Sequence, residues 1–137
     1  MSIPRPMTLA TIAVTVACGG SSPAGPNPSS NTPVAVTIQD FTFSPAAVTV
    51  KVGTTVRWTN QGPSAHTTVS DGGAWTSNTL GAPVSGGDEY GGGGSPGGVF
   101  TFTFTEPGDY PYHCSLHPPT SFPGFTGTVT VTPLEAE

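Results

Sequence analysis

The sequence predicts an all-β protein, a Greek-key β-sandwich of about eight strands, and three observations carry that expectation. Apolar and polar residues alternate through Val34, Val36 and Ile38, through Val48, Val50 and Val52, and through Phe100, Phe102 and Phe104. Successive side chains of a strand point to opposite faces, so each run offers one apolar face. Glycine and proline, 19 and 16 of the 137 residues, punctuate these runs with turns, and only 8% of residues are charged, a profile of turn-rich β structure. No stretch carries a helical signature. Strands with one apolar face bury it against a second sheet, and two such sheets make the sandwich.

Taken in order, residues 1–17 read as a signal peptide. Arg5 is the positive flank, Met7 to Ala17 are apolar but too few to span a bilayer as a mature helix, and Cys18 follows the small residue Ala17. The segment resembles a bacterial lipoprotein signal, although Thr15 stands where such signals usually carry a larger aliphatic residue. That resemblance implies that Cys18 is lipidated and becomes the first residue of the mature protein, anchoring it to the membrane; ordinary cleavage near Ala17 is the alternative. Residues 18–33 then comprise the lipidated cysteine and a disordered tether, because GGSSPAGPNPSSNTP has nothing to bury. Extended at about 3.1 Å per residue, it reaches roughly 45 Å. Either route places the folded domain, residues 34–133, outside the cytoplasm, in the periplasm or at the cell surface, with 134–137 as a tail.

Within the domain, Lys51-Val52-Gly53 leads into a turn before Val56 and Trp58, and Pro107-Gly108 turns the chain into a strand whose inward face is Tyr110, Tyr112 and Cys114. Val129 and Val131 close it. Phe41, Phe43, Trp58 and the three alternating phenylalanines are expected in the core. The insertion 81–98, GAPVSGGDEYGGGGSPGG, is too rich in glycine for a regular strand and is expected to be a mobile surface loop. Asp88, Glu89 and Tyr90 at its centre are either a docking element or part of a tolerated insertion.

Tyr110 to Pro118, YPYHCSLHP, places the Cys114 thiol three residues before the His117 imidazole, and His66 lies far upstream. Two histidines and one cysteine are the donors of a trigonal electron-transfer copper site, in which soft thiolate favours Cu(I), imidazole suits both oxidation states and a weak axial group completes the set. Only a folded scaffold brings His66 to the other two. Cys18 and Cys114 occupy separate contexts and are not expected to pair. His113, next to an inward Cys114, should point outward and is not a ligand candidate.

These segments resemble the cupredoxins, and among them the plastocyanin and amicyanin-like small blue (type 1) copper proteins. The resemblance runs from about Val34 to Thr132 through VTVKVGTTVRWTN (Val48 to Asn60), His66-Thr67-Thr68-Val69, FTFTFTEPGDYPYHCSLHP (Phe100 to Pro118) and TGTVTV (Thr126 to Val131). It implies one copper held by His66, Cys114 and His117, and a surface position for His113 at which electrons sometimes enter. It also implies a methionine shortly before Thr126-Gly127. Here the only methionines are Met1 and Met7, and Phe125 occupies that place after the longer stretch PPTSFPGF. Three arrangements follow: three-coordinate copper with a non-ligating Phe125 above it, which is preferred, a weak backbone oxygen such as that of Ala65, or a hydroxyl oxygen of Thr120 or Ser121.

With Arg5 removed alongside the signal, Lys51 and Arg57 face all eight acidic residues, which excludes nucleic acid as a partner. The same imbalance could steer a basic redox protein or serve solubility alone. Enzyme readings fail. Three histidines, two of them assigned, leave no second copper centre, no nucleophile and base stand together, and Gly91 to Gly94 precede a strand rather than a helix. The expected function is a monomeric one-electron Cu(II)/Cu(I) shuttle serving redox protein partners; the alternative is a copper storage or delivery module.

Overall fold

The computed structural model describes residues 32–86 and 94–135, all within the unit Asn31–Glu137. The signal peptide, Cys18, nearly all of the tether, and Asp88, Glu89 and Tyr90 lie outside the described residues. The elements are β1 (Val34–Gln39), β2 (Thr42–Ser44), β3 (Ala47–Lys51), β4 (Thr55–Asn60), β5 (Val69–Ser70), β6 (Val99–Thr103), β7 (Gly108–His113) and β8 (Thr126–Thr132), and no helix occurs among the described residues. They form two four-stranded sheets, ordered β2-β1-β4-β6 and β3-β8-β7-β5. Both sheets are mixed. β1 runs parallel to β4 and β3 parallel to β8, whereas the other pairs are antiparallel.

The alternation read in the sequence is what the sheets bury. Val36 and Ile38 of β1, Val56 and Trp58 of β4, Tyr112 of β7, and Val129 and Val131 of β8 all face inward. Val50 is buried, while Val48 and Val52 pack half-buried at the margin. Of the three alternating phenylalanines, Phe104 is fully buried and Phe100 and Phe102 are half-buried, packed on Trp58 and Trp75 respectively. Fully burying one phenylalanine side chain contributes about 1.5–3 kcal/mol, and the rings of Trp58, Tyr112, Phe43, Phe104 and Phe125 are the largest fully buried side chains of the core. Gly127 faces Tyr112 across the β7/β8 ladder because the phenol lies over it; a Cβ there would run into the ring.

One expectation is corrected. Phe41 is not a core residue. It is 39% exposed, because a left-handed backbone (φ 63°) at the β1–β2 corner turns its ring outward toward the domain's end. Among its described residues the insertion forms no strand, but Val84 and Ser95 exchange both backbone hydrogen bonds at 2.9 Å, and the Gly98 amide donates to the Gly81 carbonyl. Glycine cannot fill a strand, but its missing side chain lets these backbones approach closely.

Candidate metal centre

The site lies where three loops leave the sheets. Cys114 follows directly on β7, which ends at His113, and its side chain continues the inward face of Tyr112, fully buried. His117 comes three residues later, half-buried, on the turn that leads to Pro118. His66 sits on the β4–β5 connection, where its backbone pairs with Leu80 in both directions, at 3.0 and 2.7 Å. Asn60 shapes that connection. Its fully buried amide donates to the carbonyls of Ser64 and Leu80 and accepts from the Gly62 amide, so three backbone positions on either side of His66 are tied to one side chain.

The sequence-predicted donors come together. One ligand atom each from His66, Cys114 and His117 lies within 4.8 Å of the others. Cys114 Sγ is 4.0 Å from His66 Nδ1 and 3.7 Å from His117 Nδ1, so both rings present the same nitrogen to the thiol. Cys114 is a free, buried cysteine. A buried cluster of one sulfur and two imidazole nitrogens suits a soft or borderline metal and excludes calcium or magnesium, which take oxygen ligands.

The other candidates divide. Phe125 is fully buried and meets the His66 ring edge-on, at 5.0 Å and 90°, with Phe43 packed against it at 4.6 Å. Thr120 and Ser121 are exposed in the turn closed by bonds from the Ser121 and Phe122 amides to the Pro118 carbonyl. Ala65 is exposed beside His66. His113 points away from the thiol, as expected, and its Nδ1 contacts the Asp71 carboxylate at the surface.

Five residues around the site were not singled out for it by the sequence. The Thr67 amide donates to Cys114 Sγ at 3.4 Å. Asp40 Oδ1 lies 3.0 Å from His66 Nε2, and Ser64 supports the same carboxylate through its hydroxyl at 2.9 Å and its amide at 3.2 Å. Partial desolvation pushes the Asp40 carboxyl up, but the hydrogen bonds from His66 and Ser64 outweigh it and hold the group below its usual range. Phe41 and Phe122 stack at 4.3 Å, and both rings meet His117 edge-on, at 5.1 and 5.2 Å. Thr67 could have been suspected from its place after His66. Asp40, Phe41 and Phe122 follow no period and reach the site only through turn geometry.

A two-sheet sandwich with a largely buried His₂Cys cluster at one end marks a small protein built to hold a soft or borderline metal. The sequence matches the copper binding proteins of the plastocyanin/azurin family over residues 31–132, and the chain belongs to that family. Solved structures agree. An oxidised single-residue mutant of amicyanin is 25% identical, with a TM-score of 0.54 over 72% of this chain and 81% of that one. A purple cupredoxin from Nitrosopumilus maritimus is 26% identical, with a TM-score of 0.52 over 72% of this chain and 99% of that one. A copper-containing nitrite reductase from Thermus scotoductus SA-01 is 25% identical, with a TM-score of 0.56, over 77% of this chain but 23% of that one. The family and the donor cluster together give the cofactor as one copper ion.

Proposed function

We propose that this protein is a type 1 copper electron carrier working outside the cytoplasm, with Cys114 Sγ, His66 Nδ1 and His117 Nδ1 as its metal ligands. The observation that carries the reading is the convergence of these three atoms within 4.8 Å in a buried setting. Copper held there supplies one-electron exchange between Cu(II) and Cu(I). The chain's part is to keep the donors fixed through that exchange. His66 is held by its backbone pairing with Leu80, Cys114 by the end of β7 and by Thr67, and Phe125 fills the space beside His66 with carbon, keeping water out.

His117 is the one member of the cluster that is not fully buried, and exposed Phe41 and Leu116 lie on or near it. An apolar surface beside a half-exposed ligand gives a redox protein partner a short path to the metal. A second catalytic copper centre would have to start from His113, which is engaged with Asp71, so we read the chain as a carrier rather than an enzyme. We also read Cys18 as lipidated, with residues 1–17 a signal peptide and 18–33 a tether to the membrane surface. No helix among the described residues is long and apolar enough to cross a membrane.

Copper titration followed by visible absorption and voltammetry tests the function. One equivalent should give an intense thiolate-to-copper band and a reversible one-electron wave. Tight Cu(I) binding without that band would point instead to a storage or delivery module.

A further inference from the structure

An Nδ1 whose lone pair serves a metal leaves the ring proton on Nε2, and that proton needs an acceptor when the ring is buried. His66 is fully buried, its Nδ1 faces Cys114 Sγ, and its Nε2 lies 3.0 Å from Asp40 Oδ1. The carboxylate is itself fixed by the Ser64 hydroxyl and amide. Room for it depends on Gly62, where a Cβ would stand 2.7 Å from Asp40 Oδ1 and 2.8 Å from the Asp40 amide nitrogen.

The corner that carries Asp40 is bent in an unusual way. Phe41 holds a left-handed φ of 63°, a conformation a bulky residue adopts only where its surroundings enforce it. The bend sends neighbouring side chains to different ligands: Asp40 to His66, and Phe41 to His117, where it stacks on Phe122.

We propose that Asp40 is a positioning residue of the metal centre, which accepts the Nε2 hydrogen bond of His66, fixes that ring's tautomer and rotation, and lowers the reduction potential of the copper. This rests on the electron-carrier reading and deepens it. The site carries one more positive charge as Cu(II) than as Cu(I), so a fixed carboxylate one imidazole away favours Cu(II). Because the Asp40 side chain is 28% exposed, solvent screens part of that effect and leaves it moderate.

The test compares the wild-type full chain with Asp40→Asn, which keeps the size and an acceptor oxygen but removes the charge. Both should bind one copper and show the thiolate band, while the variant shifts the Cu(I) to Cu(II) ratio at a fixed potential about tenfold toward Cu(I), a rise of ~59 mV. A potential equal to that of the wild type overturns the inference, whatever happens to stability. Absence of the band from the wild type overturns the electron-carrier reading beneath it. Should the variant fail to fold, NMR of the diamagnetic Cu(I) wild type decides: a slowly exchanging His66 Nε2 proton with cross-peaks to Ser64 supports the inference, and a proton on Nδ1, or fast exchange at Nε2, overturns it.

Discussion

Thr67 and Cys114 stand 47 positions apart, yet the Thr67 amide points its hydrogen at the Cys114 sulfur from 3.4 Å. The Thr67 hydroxyl extends the link, accepting from the Ser115 amide at 2.8 Å and approaching the same sulfur at 3.7 Å. The residue after one histidine thereby locks the cysteine loop to the histidine loop. Hydrogen bonds around a copper-bound sulfur draw charge off it and weaken its donation, which favours Cu(I).

Thr67→Val keeps the shape and the amide bond but removes the hydroxyl. The Ser115 amide then loses its acceptor, which should cost about 1–2 kcal/mol in denaturant unfolding of the metal-free protein. With less charge drawn from the sulfur, the reduction potential should fall while the thiolate band remains. A higher potential would contradict the electrostatic argument.

Cys114→Ser tests the ligand itself. An alcohol oxygen cannot replace the soft thiolate, so the variant should lose the charge-transfer band and bind Cu(I) far more weakly. Retention of the band in the variant would show that the colour arises elsewhere.

Legibility differed between the strands and the surroundings of the metal. Alternation exposed the inward faces of β1, β4 and β8 because a strand's side-chain period is fixed by its backbone, and Cys-x-x-His after an aromatic strand marked two donors on one turn. His66 was found by donor type, since copper needs a third ligand. Asp40 was invisible, 26 residues before His66 in a corner whose path depends on the left-handed Phe41. Phe41 itself was misplaced in the core for the same reason: periodicity reads faces of strands and says nothing of where a bend sends a ring. The paired ends of the glycine-rich insertion escaped notice because their contacts are made by backbone, which carries no residue pattern.

Tyr112 gives an alkaline limit to stability. Burial pushes its phenol up to about 12 from 10.0, and the Trp58 indole beside it offsets only part of this. The native state therefore keeps a proton that the unfolded chain releases between those values. Stability from this group is complete below about pH 10 and declines as pH rises toward 12, by about 2–3 kcal/mol in all. Tyr112→Phe should flatten that decline in denaturant titrations across this window. An equally steep loss in the variant would assign it to other groups.

Attachment is tested at the other end of the chain. The native precursor should yield membrane-bound protein acylated on Cys18, and Cys18→Ala should abolish acylation and leave the copper spectrum unchanged. Mass spectrometry of an unmodified mature N-terminus would defeat the anchor and leave the electron-carrier reading standing.

Phe125 offers the sharpest test of what sits next to the metal. Its buried ring meets His66 at a right angle and packs on Phe43, and a ring carbon has no lone pair to offer copper. A thioether in its place does have one, and it favours Cu(II) over Cu(I) relative to an apolar neighbour. Phe125→Met should therefore lower the reduction potential and alter the visible spectrum. Methionine is flexible enough to fill most of the vacated volume, so the fold should survive with a loss of about 1–2 kcal/mol. Because ~59 mV is a tenfold change for a one-electron couple, even partial donation is measurable by voltammetry. A potential and spectrum identical to those of the wild type would place Phe125 away from the metal and return the axial position to the Ala65 carbonyl or to a hydroxyl of Thr120 or Ser121.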